Sequence, residues 1–453
     1  MSPVGASAAG AAGTARREAA ARLTAGWQET GRAATLREHA QCYGPLPPHR
    51  AGLPGRAGRP GRAGLLDAVT AAGLTGRGGA GFPTGIKMRA VASRRGPAVV
   101  VANGMEGEPA SQKDQALLAM APHLVLDGIV LAAEAVGAHT AHLCLARTRE
   151  WLLDPVLDAV AERQRAGLDS LPIEVHELPH RYVSSEETSL VHWLNGGDAR
   201  PTLTPPRPFE RGVGRRPTLI DNVETLAHVA LIARYGPAWF RQAGMADAPG
   251  TMLATVSGAA DDPGVYEIEV GTRIGDVLTM AGVHPDSPAV LVGGYFGTWH
   301  ATGAVAGLPF TSAGLRPAGA SPGAAVLLAL PPGACGLAEA ARILGYLAGE
   351  SAQQCGPCMF GLPAIADDLA QLAGGRPEGD PLGRLQRRFA QISGRGACRH
   401  PDGAVRMASS ALTAFAADAH SHARRRACLT AYRGRQRTAV PPIGPPRPEG
   451  EWR

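Results

Sequence analysis

The sequence is poor in aromatic residues and nearly devoid of lysine. Only 5% of its 453 residues are aromatic, and Lys87 and Lys113 are the only lysines among 45 basic residues. The net charge of +6 is scattered, with much of it in the arginine-containing segments 50–62 and 424–453, and no basic stripe carries interleaved aromatics. We therefore expect no nucleic-acid partner. A position that keeps lysine against this bias is a candidate for a specific point charge.

Long apolar runs and a regular cysteine pattern are also missing. No stretch of about 18 uncharged apolar residues is present, so no membrane span is expected. The N-terminus has no compact apolar core of the signal-peptide type, which predicts a cytoplasmic protein. Seven cysteines, an odd number spread unevenly, argue against a disulfide framework, and Cys355 with Cys358 in C-G-P-C is the one suggestive pair.

The hydrophobic pattern divides the chain into regions with different predicted secondary structure. The length predicts two to four domains, and 45% hydrophobic with 19% charged residues indicates a globular protein. Strands alternating with helices predict an α/β domain with a mostly parallel sheet, followed by a small α+β domain and then a helical bundle. The predicted boundaries are 1–58 for a low-complexity segment and linker, 59–248 for the α/β domain, 249–331 for the α+β domain, 332–432 for the bundle and 433–453 for a disordered tail.

Specific elements can be assigned within these regions. In the first domain the pattern predicts strands at 97–102, 142–146 and 173–177, and one long helix at 116–136. A further helical stretch is expected at 14–40. The bundle is expected to contain helices at 337–349, 363–372, 382–392 and 405–426.

A glycine-rich segment runs from Gly76 to Lys87 with the sequence G-R-G-G-A-G-F-P-T-G-I-K. It contains G-x-G-x-x-G, a weak signal here because a predicted helix rather than a strand precedes it. Five glycines in ten residues would nevertheless expose backbone N–H groups to a planar or anionic ligand, and Arg77 and Lys87 could supply charge for a phosphate. A flexible turn is the alternative.

Three further segments combine acids and amides. The segment 103–109, N-G-M-E-G-E-P, follows the predicted V-V-V strand, where ligands of open α/β sheets bind. An acidic solvated loop is its alternative interpretation. The segments 182–188 and 217–225 could each be a helix start with capping residues.

Taken in order, these segments closely resemble the FMN- and NADH-binding, 51 kDa-type subunit of respiratory complex I and its relatives in NAD-linked hydrogenases and formate dehydrogenases. The resemblance covers about residues 60–430, and G-R-G-G-A-G-F-P-T-G-x-K is its most specific motif. It implies that the α+β domain is a ubiquitin-like β-grasp domain of the SLBB type. It also implies that the bundle carries a [4Fe–4S] cluster.

The resemblance also assigns site residues by position. The residues implied to bind FMN lie on the glycine loop and the three polar segments, and those implied to face NADH overlap with them. The FMN set is Gly76, Arg77, Gly78, Lys87, Asn103, Glu106, Ser185, Glu186, Glu187, Asp221, Asn222 and Thr225, and the nucleotide set is Phe82, Glu108 and Glu187. The flavin does the redox chemistry, so no protein acid or base is expected.

The implied iron–sulfur motif is incomplete. The family pattern S-C-G-x-C-x-P-C reads S-A-Q-Q-C-G-P-C over 351–358, so Ala352 stands at the first ligand position. Cys355, Cys358 and Cys398 remain where a cubane normally takes four thiolates. Three outcomes stay open: a non-cysteine ligand such as His400 or Asp402, a three-iron cluster, or three structural thiols without a cluster.

The nucleotide segment departs from the family as well. Met105 replaces Asp, Ser185 replaces Gly, Asp221 replaces Asn, and Thr204 and Arg207 replace Lys and Phe. Arg207 could favour the 2′-phosphate of NADPH, or the nicotinamide site could be weakened. The leading hypothesis is a divergent NAD(P)H-oxidising flavoprotein that passes electrons to a ferredoxin-like or membrane redox partner. Its place could be peripheral, at the inner face of the membrane through that partner. The alternative is a degenerate scaffold that keeps the fold without NADH oxidation.

Overall fold

The structure is a computed structural model that describes residues 21–44, 46, 62–424, 426, 428, 452 and 453. The greater part of the predicted segments 1–58 and 433–453 lies outside these residues. Residues 21–35 contain turns and bends rather than the predicted helix, and helix α1 begins only after Thr35, which caps it (Leu36–Tyr43). Leu23 and Tyr43 are buried, and three consecutive backbone N–H groups from Arg22 donate to Glu267, so this segment packs on the folded core.

A four-stranded parallel sheet organises the first domain. Its strand order is β3-β2-β1-β4, and apolar side chains on both faces of β1 are buried, as expected for a parallel sheet. Its strands are β1 (Ala98–Gly104), β2 (Ala138–Ala146), β3 (Ile173–Leu178) and β4 (Thr218–Asn222). Its helices are α2 (Arg62–Ala72), α3 (Thr84–Ala92), α4 (Lys113–Met120), α5 (Pro122–Val136), α6 (Glu150–Arg165), α7 (Glu187–Leu194) and α8 (Val223–Phe240).

A second, mixed sheet follows in the order β6-β5-β9-β7-β8. Strands β5 and β9 are parallel and the other neighbours antiparallel. Its elements are β5 (Thr251–Gly258), β6 (Gly264–Glu269), α9 (Ile274–Met280), β7 (Ala289–Val292), β8 (Thr298–Ala301), α10 (Thr302–Val305), α11 (Ser312–Leu315) and β9 (Val326–Ala329).

The C-terminal region is helical and shares one apolar core with part of the second sheet. Cys355 and Cys358 precede and open a short π-helical turn, and Cys398 lies just before a helix N-terminus. The helices are α12 (Gly336–Gly349), α13 (Leu362–Ala373), α14 (Pro381–Ile392), α15 (His400–Ala414) and α16 (Ala416–Ala423).

Two helices predicted as continuous are interrupted. The stretch 116–136 is divided at Ala121, because Pro122 starts a new helix at an angle of 98° to the preceding one. The stretch 405–426 is likewise divided at Phe415 into α15 and α16. In the described part of the chain no single helix is long and apolar enough to cross a membrane. The bent pair α4 and α5 passes by length and composition, and almost all of it is buried in the protein.

A buried ion-pair network joins α1 to three helices of the first domain. Asp127 in α5 accepts from His39 of α1 at 2.8 Å and from Arg163 of α6 at 2.7 Å, and it also contacts Arg234 of α8. Burial alone would raise the pKa of Asp127, but the bond from His39 and the charges of both arginines hold it well below its usual range. A charge this deeply buried is tolerated only while its partners stay in place.

We therefore predict that Asp127→Asn lowers the free energy of unfolding by about 3–5 kcal/mol, because buried Arg234 loses its ion pair and buried Arg163 keeps only Asp169. Urea denaturation followed by circular dichroism measures the change. Asp67→Asn is the matched control, since Asp67 makes an exposed ion pair with Arg89 and its loss should cost less than about 1 kcal/mol. Equal effects of the two substitutions would contradict the assignment.

Candidate functional site

The polar segments meet at the carboxyl ends of β1 and β4. Strand order reverses between these two neighbours, the place where open α/β sheets bind ligands. Asn103 of β1 pairs in register with Asn222 of β4, and the Asn103 amide donates to the Ser185 carbonyl at 2.8 Å. Three of the four predicted segments are thereby brought together, including β4, which the sequence suggested only as a helix cap.

The glycine loop lies against this edge and is the fourth segment. Its ends are joined by a bond from the Gly76 N–H to the Phe82 carbonyl at 2.9 Å, and the Arg77 N–H donates to Thr225 Oγ1 at 2.8 Å. Gly79 has a φ of +100°, and a Cβ there would lie 3.4 Å from the Gly323 backbone. Glycine is therefore required where the loop passes the second sheet. Phe82 is 53% exposed, which leaves its ring free to stack on a ligand.

Arg77 has a different side-chain environment from the one expected. Its guanidinium is buried and donates to Thr75 Oγ1 and the Thr251 carbonyl, both at 3.0 Å, with Glu224 3.9 Å away. Burial lowers the pKa of Arg77 in spite of Glu224. The side chain therefore holds the loop to β5 and does not offer its charge on the exposed side of the loop.

Lys87 and Glu187 form the accessible charged part of the site, and the buried carboxylate of Asp221 lies beside them. The Lys87 ammonium donates to the Ile220 carbonyl and lies 3.6 Å from Asp221 and 3.8 Å from Glu187. Burial raises the pKa of Asp221, although Lys87 opposes the shift. Asp221 Oδ2 is buried and makes no hydrogen bond within the described structure. A partly exposed ammonium, a carboxylate oxygen with unused capacity and an exposed ring can hold a polar aromatic ligand such as a flavin.

Beneath these groups lies a buried network of Lys113, Asp114, Glu224 and Asn222, in which Asn222 alone belongs to the predicted site residues. Lys113 contacts Asp114 at 2.6 Å and Glu224 at 2.9 Å, and Asp114 accepts from Asn222 at 2.7 Å. The scarcity of lysine was the one sequence signal for Lys113. Burial raises the pKa of Glu224, while the charges of Lys113 and Arg77 oppose the rise.

Two of the expected cofactor-binding acids cap helices. Glu106, at a φ of +40°, accepts from the Asp114 and Gln115 N–H groups at the start of α4 and from the Ser111 hydroxyl at 2.7 Å. Glu186 is the N-cap of α7 and accepts from the Thr188 N–H at 2.9 Å. Both carboxylates fix the walls of the site, the arrangement that capping residues provide at helix starts.

Glu108 joins the first domain to the second sheet. Its carboxylate accepts from the Tyr295 N–H at 2.8 Å, the Tyr182 hydroxyl at 3.0 Å and the Ala110 N–H at 3.1 Å. Burial raises the pKa of Glu108 to about 7, although these bonds favour the charged form. The carboxylate expected to face NADH thus already accepts three hydrogen bonds from the protein.

The departures from the family pattern lie in different environments. Met105 is 1% exposed within an apolar cluster under the strand ends, whereas Arg207 and Thr204 are exposed. The Ser185 hydroxyl donates to the Tyr182 carbonyl at 3.2 Å. The replacement of Asp by Met therefore changes packing beneath the site rather than a side chain on its surface.

Of the three cysteines predicted to bind a cluster, Cys398 lies near Glu186 on the wall of the site. Burial raises the pKa of the Cys398 thiol, and the nearby Glu186 and Cys355 add to the shift. Cys358 is buried with Cys355 and Cys398 close to it. Three thiols that influence one another are therefore available for the predicted cluster. Ala352 is 5% exposed in an apolar core and offers no fourth donor.

His400 follows Cys398 but its ring faces other groups. Its Nε2 bonds the Leu347 carbonyl at 2.7 Å, and the ring packs edge-on against Tyr182 and Phe296. Its Nδ1 is buried without a hydrogen bond in the described structure. Ligation through that atom stays a prediction.

Fold and site together define a nucleotide- or flavin-binding α/β protein coupled to a helical region with clustered thiols. The family model of the Nuo51 FMN-binding domain matches residues 69–231, and that of the NADH-ubiquinone oxidoreductase-F iron-sulfur binding region matches residues 338–422.

Individual relatives agree with these matches. An F-type NADH-quinone oxidoreductase subunit of Rhizobium meliloti is 32% identical over 382 residues, covering 80% of this chain and 90% of that protein. The F-type subunit of Streptomyces coelicolor is 32% identical over 377 residues, covering 80% and 84%. A solved NAD⁺-reducing [NiFe]-hydrogenase in the air-oxidised state has a TM-score of 0.75 at 32% identity, covering 80% of this chain but only 63% of that chain.

The chain belongs to the family of F-type NADH-quinone oxidoreductase subunits, and the predicted family resemblance is confirmed. It has the family's FMN-binding domain and its iron–sulfur binding region, so the predictions of FMN and a cluster of the [4Fe–4S] type are supported at the level of the family. The individual ligand assignments stay predictions.

We predict that Glu108→Ala lowers the free energy of unfolding by about 2–4 kcal/mol, because three buried donors lose a charged acceptor. The pKa of Glu108 is raised on folding, so the wild-type protein should lose stability as pH rises from about 4.5 through about 7. The variant should show a flatter dependence, measured by urea denaturation across that range. Asp67→Ala is the control at an exposed acid, and an unchanged pH slope in Glu108→Ala would refute the interpretation.

We predict that Cys398→Ser removes the iron–sulfur signal in electron paramagnetic resonance and most of the bound iron, because the motif already has one thiolate fewer than a cubane normally takes. Cys42→Ser is the control, since Cys42 is exposed in α1. Iron content that is unchanged in Cys398→Ser would show that Cys398 is not a ligand.

Proposed function

We propose that this chain is the NAD(P)H-oxidising flavoprotein subunit of a redox complex, which transfers electrons through an iron–sulfur cluster to a separate acceptor. One observation carries the proposal. The glycine loop and the ends of β1 and β4 form one site, and Glu186 on its wall lies close enough to Cys398 to affect that thiol. This arrangement supports a hydride-accepting site beside a one-electron site.

When bound, FMN accepts a hydride from NADH and gives up electrons singly. The residues of this chain bind and orient. Lys87 supplies a positive charge beside Asp221, and Asn103, Ser185 and Asn222 set the polar edge of the cleft. The exposed ring of Phe82 and the partly exposed carboxylate of Glu187 would face the nicotinamide nucleotide.

The alternative, a degenerate scaffold, rests on the replaced family residues. Buried Met105 weakens that alternative, because its side chain packs in the apolar cluster and blocks no exposed surface. The relatives named above are NADH-quinone oxidoreductase subunits, which favours the enzyme.

The finer architecture is part of the proposal. A mixed sheet with α9 packed on it supports a β-grasp domain of the SLBB type between residues 249 and 331. The regions 59–248 and 332–432 would then be the flavin and iron–sulfur domains. A ferredoxin-like or membrane protein as acceptor, and a cytoplasmic place at the inner face of the membrane, remain predictions.

We predict that anaerobic addition of near-stoichiometric NADH to the FMN-loaded protein bleaches the flavin absorption bands, and a parallel titration with NADPH shows which nucleotide is preferred. A flavin reduced by dithionite but by neither nucleotide would refute NAD(P)H oxidation.

We also predict that Lys87→Met weakens FMN binding roughly ten- to hundredfold, because a charged hydrogen-bond donor is lost. Arg89→Met is the matched control on the same helix, since Arg89 forms an exposed ion pair.

A further inference from the structure

A second group of metal-binding side chains lies away from the cysteines assigned to the cluster. Cys335, His422 and Cys428 each offer one donor atom, and the three atoms lie within 4.8 Å of one another. Cys335 and His422 are 4% exposed and Cys428 is half-buried. Neither the iron–sulfur motif nor the flavin site includes any of these residues.

His422 is oriented as a metal ligand would be. Its Nδ1 bonds the Leu372 carbonyl at 3.1 Å, which requires that this nitrogen carry the proton. Nε2 then has a lone pair, is buried, and makes no hydrogen bond in the described structure. An imidazole that donates one N–H to a backbone carbonyl while the other nitrogen faces thiols is the usual arrangement of a metal-bound histidine.

Backbone donors that stabilise a thiolate face one cysteine, and a buried carboxylate lies beside the other. Cys335 is the N-cap of α12, and the backbone N–H groups of Leu337 and Ala338 face its sulfur. Cys428 lies 3.6 Å from Oδ1 of Asp418, a carboxylate that is 3% exposed. Asp418 and His422 are four residues apart on α16 and therefore share one helix face.

This donor set fits zinc. Two sulfurs, one imidazole nitrogen and one carboxylate are ligands that Zn²⁺ takes in tetrahedral sites at about 2.0–2.3 Å, so the donor atoms lie roughly 3.3–3.8 Å apart. The observed grouping within 4.8 Å needs only small side-chain adjustments to reach that geometry. An oxygen-preferring ion such as Mg²⁺ does not suit two thiolates.

We propose that Cys335, His422 and Cys428 bind one Zn²⁺, with Asp418 supplying the fourth ligand. The site connects the start of the first bundle helix to the last helix and to the segment beyond it. A metal bound there links the first and last parts of the helical region. The cysteines of the iron–sulfur motif lie between these parts in the sequence. Zinc binding then contributes to folding stability, since the unfolded chain has no preformed site.

The test is metal analysis of the purified holoprotein by mass spectrometry, after incubation with ZnCl₂ under reducing conditions and removal of free metal. Wild-type protein should retain about one zinc per chain. His422→Asn and Cys428→Ser should lose it while iron and flavin contents stay unchanged, and Asp418→Asn should bind zinc roughly ten- to a hundredfold more weakly.

Matched controls lie close by. His420→Asn changes an exposed histidine on the same helix, and Cys42→Ser changes an exposed thiol elsewhere, so both should keep zinc. X-ray absorption at the zinc edge of the wild-type protein tests the ligand set without any variant. It should show two sulfurs at about 2.3 Å and two lighter ligands at about 2.0 Å.

Three outcomes would overturn the proposal. They are a wild-type protein that keeps no zinc, zinc retained by both His422→Asn and Cys428→Ser, and a first shell without sulfur.

Discussion

The buried carboxylate of Glu224 is the constraint on which the arrangement of the site depends. It pairs with Lys113 at 2.9 Å, lies 3.9 Å from Arg77, and accepts from the Leu253 N–H at 2.9 Å. These contacts connect α8 to α4, to the glycine loop and to β5. An unpaired charge at such depth is strongly destabilising. A shift of any one of the four elements would leave a buried charge without its partner, so the network holds them in one relative position. The shape of the cleft at the ends of β1 and β4 is fixed by that relative position.

This constraint divides the polar residues of the site into two layers. Arg77, Glu106, Glu108 and Glu186 have their charges or hydrogen-bonding capacity taken up by the protein itself. Lys87, Glu187 and Phe82 stay accessible, as do the glycine backbone groups. Residues of one sequence motif therefore have different roles in the structure. The buried ones fix the shape of the site, and the accessible ones are left to contact a ligand.

The sequence predicted the parts of this arrangement that depend on local pattern. V-V-V identified β1, the alternation of elements predicted a parallel sheet, and the rarity of lysine pointed to Lys113. It missed β4, because T-L-I-D-N is short and its polar end is equally typical of a helix cap. It missed the bend at Pro122, because proline suits the first turn of a helix and the apolar pattern continues across it. The inward orientation of Arg77 depends on β5, far away in sequence, and no local pattern encodes it.

The position of the family's first cluster cysteine is occupied by an apolar side chain. Ala352 lies in the apolar core with Cys358, so no polar side chain has replaced the lost thiol at that position. A four-iron cluster bound by Cys355, Cys358 and Cys398 must take its fourth ligand from elsewhere or leave one iron open. His400 could supply only Nδ1, since Nε2 is bonded to the Leu347 carbonyl, and its ring already packs between Tyr182 and Phe296. The ring of His400 is therefore fixed in place by its neighbours. If His400 is a ligand, the cluster and its cysteines must come to the Nδ1 atom, because the ring cannot turn toward them without losing this packing.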